Sequence, residues 1–235
     1  MKTVTWLSPQ DAPEWFPPLE QALDEPAGLL AAGGDLSPQR LLAAYRRGIF
    51  PWYSPGQPVL WWSPDPRTVL FPHEFHRSKS LDKTIRNKGF RVIVNESFDA
   101  VIDACAAPRD RSPGTWITPE MRQAYLRLHR LGYAHSLEVR RGAQLAGGLY
   151  GVRLGGVFFG ESMFSTERDG SKVALAHLVM MCAHNSITVI DCQLASRHLS
   201  SLGARSIPRA HFQALLLRWA SLEPLALRPG PAPGP

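Results

Sequence analysis

From about Pro66 onward the chain switches its hydrophobic period repeatedly, and the order of those switches limits its fold more than any other feature. Short runs rich in β-branched and aromatic residues are predicted strands: TVLFP, FRVIVN, HSLEVRR, LAGGLYGVRL, GVFFGESMF and TVIDCQL. Longer runs with helical spacing, FDAVIDACAA, PEMRQAYLRLHRLG, SKVALAHLVMMCAHN and PRAHFQALLLRWASL, are predicted helices. The order β, α, β, α, α, a β-meander, then α, β, α predicts an α+β domain, a mostly antiparallel sheet flanked by helices. The helix in SKVALAHLVMMCAHN then crosses to the TVIDCQL strand. Residues 1–65 differ, because turn formers crowd SPQDAPEWFPP, EPAGLLAAGGDLSP and FPWYSPGQPVLWWSPDP. They predict a small, loop-rich, aromatic-laden unit with one short helix, capped by Ser37, opened by Pro38 and ended by Gly48. The division is therefore 1–65, 66–223, and a Pro/Gly-rich tail at 224–235 that is expected to stay disordered. With 235 residues there is room for one sizeable core and a small accessory unit.

A hydrophobic content of 44% and a charged content of 20% fit an ordinary globular protein. The three cysteines, Cys105, Cys182 and Cys192, are odd in number and sit in apolar runs, as reduced core thiols do. The first residues, MKTVTWLSPQDAPEWF, contain no apolar leader core, and no run approaches the ~18 apolar residues of a membrane span. A cytoplasmic protein with no membrane partner is expected. The formal net charge is +6, which favours a polyanionic partner. Its distribution is one-sided in HRSKSLDKTIRNKGFR: Arg77, Lys79, Lys83, Arg86, Lys88 and Arg91 are opposed only by Asp82. With Ser80 as cap of a short helix, Lys83 and Arg86 share a face, which is either a solvated surface or a phosphate contact.

Three interruptions of regular pattern are candidate chemistry. In VIDCQL, an extended backbone puts Val189, Asp191 and Gln193 on one face and Ile190, Cys192 and Leu194 on the other. Asp191 and Gln193 either meet solvent and backbone there or form a functional pair. In GVFFGESMFS, Glu161 and Ser162 break an apolar run, and a buried glutamate is costly without a partner. In GTWITPEM, Gly114 supplies a turn and Trp116 is displayed before the helix opened by Pro119, as core or as a pocket wall. The cluster FPWYSPGQPVLWWSP packs as a local staple or offers flat rings to a nucleobase. There is no GxxxxGK[ST] and no GxGxxG opening a helix. His177 and His184 lack a third ligand at metal spacing, and nothing resembles GxSxG. If the chain is an enzyme, its substrate arrives already activated.

The stretches GLLAAGGDLSPQRLLAAYRRGIFPWYSPG, LWWSPDPR, GTWITPEM, GYAHSLEV, GGLYGV, FFGESMFS, SKVALAHL and IDCQLASRHLSSLGA closely resemble the bacterial leucyl/phenylalanyl-tRNA–protein transferases. The resemblance implies an N-terminal domain joined to a GNAT-like (acetyltransferase-like) domain. It implies transfer of Leu, Phe and less readily Met from aminoacyl-tRNA to the α-amine of proteins beginning with Arg or Lys, marking them for N-end rule degradation. It implies neither cofactor nor metal. It makes Asp191 and Gln193 the central pair, the carboxylate accepting from the carboxamide so that the amide oxygen faces the incoming amine. Glu161 would help hold the cationic Arg or Lys end. Tyr45, Trp52 and Trp116 would cradle the terminal adenosine and aminoacyl group, and Phe158, Met163, Leu175, Leu178 and Cys182 would line the pocket for the Leu or Phe side chain. Leu178 and Cys182 are less aromatic than the resemblance leads one to expect, which would alter donor preference by ~1–3 kcal/mol. The basic run from Arg77 to Arg91 would contact the tRNA backbone. Two rivals share parts of this pattern. An acetyl-CoA-dependent acetyltransferase would seat a pyrophosphate on a loop such as RDGSKVA, although its Gly stands one position early, and a non-catalytic RNA-binding protein would need only the basic run and the aromatics.

Overall fold

A computed structural model describes residues 2–108 and 115–229. The turn-rich N-terminal region does contain strands: β1 (Thr5–Leu7), β2 (Leu29–Gly33), β3 (Phe50–Pro51) and β4 (Leu60–Trp62) form a sheet ordered β1-β2-β4-β3. None exceeds five residues, too short to show a hydrophobic period, and so the sequence reads as loop. Helix α1 (Pro38–Arg46) follows its signals: Ser37 Oγ accepts from Arg40 N at 3.3 Å, Pro38 occupies the first turn and Gly48 leaves the helix at φ +76°.

The second unit is built on β5 (Arg67–Leu70), β6 (Arg91–Val94), β7 (Ala134–Arg141), β8 (Gln144–Leu154), β9 (Val157–Ser165), β10 (Val189–Gln193) and β11 (Arg205–Ile207), ordered β11-β5-β10-β9-β8-β7-β6. Neighbours are antiparallel except β9 and β10, which are parallel, as the crossover through α5 (Gly170–Cys182) requires. The remaining helices are α2 (Lys79–Asn87), α3 (Phe98–Ala106), α4 (Pro119–Arg130), α6 (Arg197–Ser201) and α7 (Arg209–Trp219). Helix α6 and strand β11 have five and three residues and gave no sequence signal.

Period-two alternation sorts the sheet's side chains onto two cores. Tyr150, Val152, Val157, Phe159 and Val189 face α3, α4, α7 and the N-terminal unit, while Leu149, Phe158 and Ile190 face α2 and α5. The first core runs without a break into the N-terminal unit, joining Tyr45 and Trp61 to Tyr125 and Phe159. Two expectations need correction. The α2 cap is Ser78, whose Oγ accepts from Leu81 N at 3.2 Å, and not Ser80. Part of the C-terminal tail packs: Leu227 is buried, Arg153 Nη1 donates to the Ala226 carbonyl at 2.8 Å, and Asn185 pairs with Arg228 through two bonds of 2.9 Å. Leu227 supplies the buried apolar surface, and Arg153 and Asn185 satisfy a backbone that has no ladder of its own. Residues 230–235 of that tail, and the turn expected at Gly114, lie outside the described residues. No helix among the described residues is long and apolar enough to cross a membrane.

Candidate active site

Two adjacent strands are each broken by one extra residue at the same end of the sheet. On β9, Gly160 pairs with Gly151 and Ser162 with Tyr150, leaving Glu161 as the bulge. On β10, Asp191 pairs with Val69 and Gln193 with Thr68, leaving Cys192 as the bulge, and Gln193 takes a left-handed φ of +57°. Bulges re-aim side chains and end pairing, which is why they collect at sites. The close packing behind the first bulge needs glycine, because a Cβ at Gly151 would lie 2.5 Å from the Phe158 ring. The simple alternation expected for VIDCQL therefore stops at Asp191.

Asp191 is fully buried, and sequence reasoning missed the residue that holds it. Arg67, at the start of β5, donates Nε to Oδ1 at 2.7 Å and Nη2 to Oδ2 at 2.6 Å, a bidentate pair with both partners out of water. Its Nη1 reaches the Gly48 carbonyl at 3.0 Å, and its guanidinium lies between the rings of Phe50 and Phe212 at 4.7 and 4.9 Å. Arg67 thus ties β10 to the N-terminal unit. The available signal was a cation opening the apolar strand RTVL. Asp191 Oδ1 also accepts from Gln193 N at 3.1 Å, so the carboxylate shapes the bulge.

The Gln193 carboxamide has two orientations. One sets Nε2 3.3 Å from Asp191 Oδ2 but turns the amide oxygen onto carbonyl oxygens. The other lets Nε2 donate to Gly160 O at 3.0 Å and Cys192 O at 3.2 Å. The second satisfies the amide on its carbonyl side, whereas the first keeps the expected donation from the Gln193 amide to Asp191 Oδ2, which also accepts from Arg67 Nη2. In both, the Gln193 backbone N–H anchors the residue to Asp191 Oδ1.

Glu161 stands in a cage of phenols contributed by three elements. Tyr125 of α4 donates to its Oε2 at 2.7 Å, and the Tyr45 hydroxyl of α1 lies 2.6 Å from that of Tyr125. Oε1 is buried and has no hydrogen-bond partner among the described residues, and neither has the hydroxyl of Tyr150 on β8. Burial raises the Glu161 pKa to about 7; the Tyr125 hydrogen bond and then the nearby Tyr45 hydroxyl oppose the rise, the Asp191 charge adds to it and the Arg67 charge opposes it. Burial, followed by the charge of Glu161, holds the hydroxyls of Tyr45, Tyr125 and Tyr150 protonated well above the usual tyrosine range. Sequence reasoning missed Tyr125 and Tyr150, which read only as core positions of α4 and of GGLYGV.

Two cavities meet at these bulges, and Glu161, Cys192 and Gln193 line both. The first, about 140 Å³, is apolar and is walled by Phe158, Met163, Leu175 and Leu178 as expected, together with Leu199. The second, about 280 Å³, is walled by Phe50, Trp52 and Trp116. Trp52 is 42% exposed and packs edge-on against Trp62 at 5.6 Å. Three expected residues reach neither cavity. Tyr45 is wholly buried behind Tyr125, and Asp191 lies behind Gln193. Cys182 is buried on α5 with Sγ against the Leu178 carbonyl at 3.2 Å, its thiol pushed up to about 12 by burial.

The six basic residues divide. Arg77 is ion-paired with Asp82, and Lys88 Nζ donates to the Arg168 carbonyl at 3.0 Å. Lys79, Lys83, Arg86 and Arg91 are exposed, and the first three follow one face of α2.

An apolar cavity and an aromatic one thus share a carboxyl and a carboxamide at their junction. The leucyl/phenylalanyl-tRNA protein transferase family model matches residues 69–217, and the model of that family's N-terminal domain matches residues 34–65. A leucyl/phenylalanyl-tRNA–protein transferase of Pseudomonas entomophila is 58% identical over 92% of this chain and 94% of its own length. One from Aromatoleum aromaticum is 55% identical over 98% of this chain and 93% of its own. Among solved structures, a GCN5-related N-acetyltransferase from Kribbella flavida covers 72% of this chain and 60% of its own, at 12% identity and a TM-score of 0.40. The chain belongs to the leucyl/phenylalanyl-tRNA–protein transferases, a family of aminoacyltransferases.

Proposed function

We propose that the protein moves Leu or Phe, and less readily Met, from aminoacyl-tRNA to the α-amine of polypeptides that begin with Arg or Lys, marking them for N-end rule degradation in the cytoplasm. The observation that carries this reading is the shared wall of Glu161, Cys192 and Gln193 between an apolar and an aromatic cavity. The apolar cavity takes the Leu, Phe or Met side chain, and the rings of Trp52 and Trp116 take the terminal adenosine. The ester carbonyl then lies at the junction. An aminoacyl ester is already activated, so the chemistry is aminolysis, and a reference α-amine pKa of ~7.7–8 leaves a useful neutral fraction near neutral pH. What the protein adds is position and polarity. Gln193 orients the amine, Asp191 holds Gln193 from behind as a positioning residue, and Glu161 lines the junction at which the amine arrives.

The exposed cations of α2 contact the tRNA phosphates. An acetyl-CoA donor is less well supported, because the start of α5 presents the Asp169 carboxylate, and the Ser171 N–H there is taken by Ser165 Oγ at 2.8 Å. The test is incubation with labelled Leu-tRNA and an Arg-initiated peptide beside the same peptide acetylated at its N-terminus. Label is expected in the free-amine peptide alone; equal labelling of both, or of neither, refutes the reading.

A further inference from the structure

We propose that Glu161 is the proton shuttle of this transfer, its open Oε1 taking the amine's proton while Tyr125, backed by Tyr45, holds Oε2. The inference deepens the reading above and rests on it. Glu161 is the one acid lining either of the two cavities at the junction, and its bulge carries it to their common wall. Its two oxygens are not equivalent. Oε2 accepts from Tyr125 at 2.7 Å, and since that hydroxyl gives its proton to the carboxylate, the Tyr45 hydroxyl at 2.6 Å must donate to Tyr125. The chain is thus ordered, with every proton pointing toward Glu161. Oε1 is buried with no partner among the described residues, an unfilled acceptor on a side chain that lines both cavities.

A bidentate grip on an arginine guanidinium would need both oxygens, and one is already engaged. A proton acceptor needs only the other. The groups facing the carboxyl are Tyr125 from α4, Tyr45 from α1, Tyr150 from β8, Asp191 and Cys192 from β10 and Arg67 from β5. Burial, with Asp191 adding and the phenols and Arg67 opposing, sets Glu161 at about 7, where a base and its conjugate acid are both populated near neutrality.

The step balances without any co-reactant. The amine nitrogen bonds to the ester carbonyl carbon while one N–H proton passes to Oε1. The carbon–oxygen bond to the ribose then breaks, and the same proton passes from Oε1 to the departing ribose oxygen. The carboxylate is restored, an amide has formed, and Tyr125 keeps its proton throughout.

The test is single-turnover transfer from labelled Leu-tRNA to an Arg-initiated peptide across acid to mildly alkaline pH. The unaltered protein should lose rate toward acid with a limb of slope two, one proton from the peptide amine and one from Glu161. Glu161→Gln should reduce the slope to one and lower kcat on the order of 10²-fold or more, with KM for the peptide nearly unchanged. Tyr125→Phe removes a bond that steadies the carboxylate, so its limb should move to higher pH, which a purely structural role for the phenol would not produce. A slope of two retained in Glu161→Gln, or a loss confined to KM, overturns the shuttle while leaving the transferase reading intact. No labelling by the unaltered protein overturns both.

Discussion

Removing Arg67 and Asp191 together should destabilise the protein by much less than the sum of the two single removals. Arg67→Met leaves a carboxylate that is 0% exposed with no cation beside it, and breaking one side of a buried pair costs ~3–5 kcal/mol. Asp191→Leu does the same to the guanidinium, although Phe50 and Phe212 at 4.7 and 4.9 Å and the Gly48 carbonyl keep part of its environment, so the lower end, ~3 kcal/mol, is expected. The double variant strands no charge. Its remaining cost is the loss of an acceptor for Gln193 N–H and of a donor for Gly48 O, ~1–3 kcal/mol for each group left buried and unmade. The double should therefore cost ~4 kcal/mol, near the costlier single and well under the ~6–8 kcal/mol sum of the two, a coupling of ~2–4 kcal/mol. The assay is urea unfolding of the four proteins, where a slope of ~3 kcal/mol/M turns 3–5 kcal/mol into a midpoint shift of ~1–2 M. All three variants should also lose kcat, because the Gln193 bulge is anchored by Asp191. Additive losses, or single variants that cost under ~1 kcal/mol, would refute the claim that this pair is a desolvated structural clamp.

The aromatic cavity predicts that Trp116→Ala or Trp52→Ala weakens aminoacyl-tRNA binding by ~1–3 kcal/mol, about 5- to 150-fold, in a filter-binding titration. The exposed face of α2 predicts that Lys79→Ala, Lys83→Ala and Arg86→Ala together flatten the plot of log Kd against log salt by about 0.7–0.9 per lost phosphate contact. An unchanged slope removes α2 from the interface. His135 is buried on β7, its Nδ1 3.0 Å from Asn95 Nδ2, and burial followed by the charges of Arg153 and His129 lowers its pKa to about 4. The unfolded chain, with the usual value of 6.5, binds the proton first as pH falls, so stability is full above about 6.5 and declines toward about 4. His135→Gln should flatten that window in thermal unfolding, and an unaltered pH profile would remove His135 as its source.

The legible part of this fold was whatever repeats within a segment. Strands β6 to β10 and helices α3, α4, α5 and α7 each carry several apolar residues within one segment, and their positions follow from that. Strands β1, β3, β4 and β11 have two or three residues and are strands only because a neighbour supplies the other half of the ladder, which no local pattern records. The packed part of the tail is the same case, since residues 224–228 are held by Arg153 and Asn185 from distant elements.

The site divides along the same line. Asp191, Gln193 and Glu161 stood out because each interrupts an apolar run, whereas Arg67 and Tyr125 matter only through partners 124 and 36 residues away. The two bulges could not be read, because an extra residue is defined against the opposing strand, and they decide what each polar group can do. Extended backbone alone would have set Asp191 and Gln193 side by side as equals. With Cys192 inserted, one is locked against Arg67 and the other turns into the cavity wall. The same insertion on β9 moves Glu161 out of the alternation that would have sealed it in the core and leaves one oxygen open at the junction. A register change of one residue on each of two strands thus turns Glu161 and Gln193 onto the wall of two cavities in a sheet that is otherwise two packed faces.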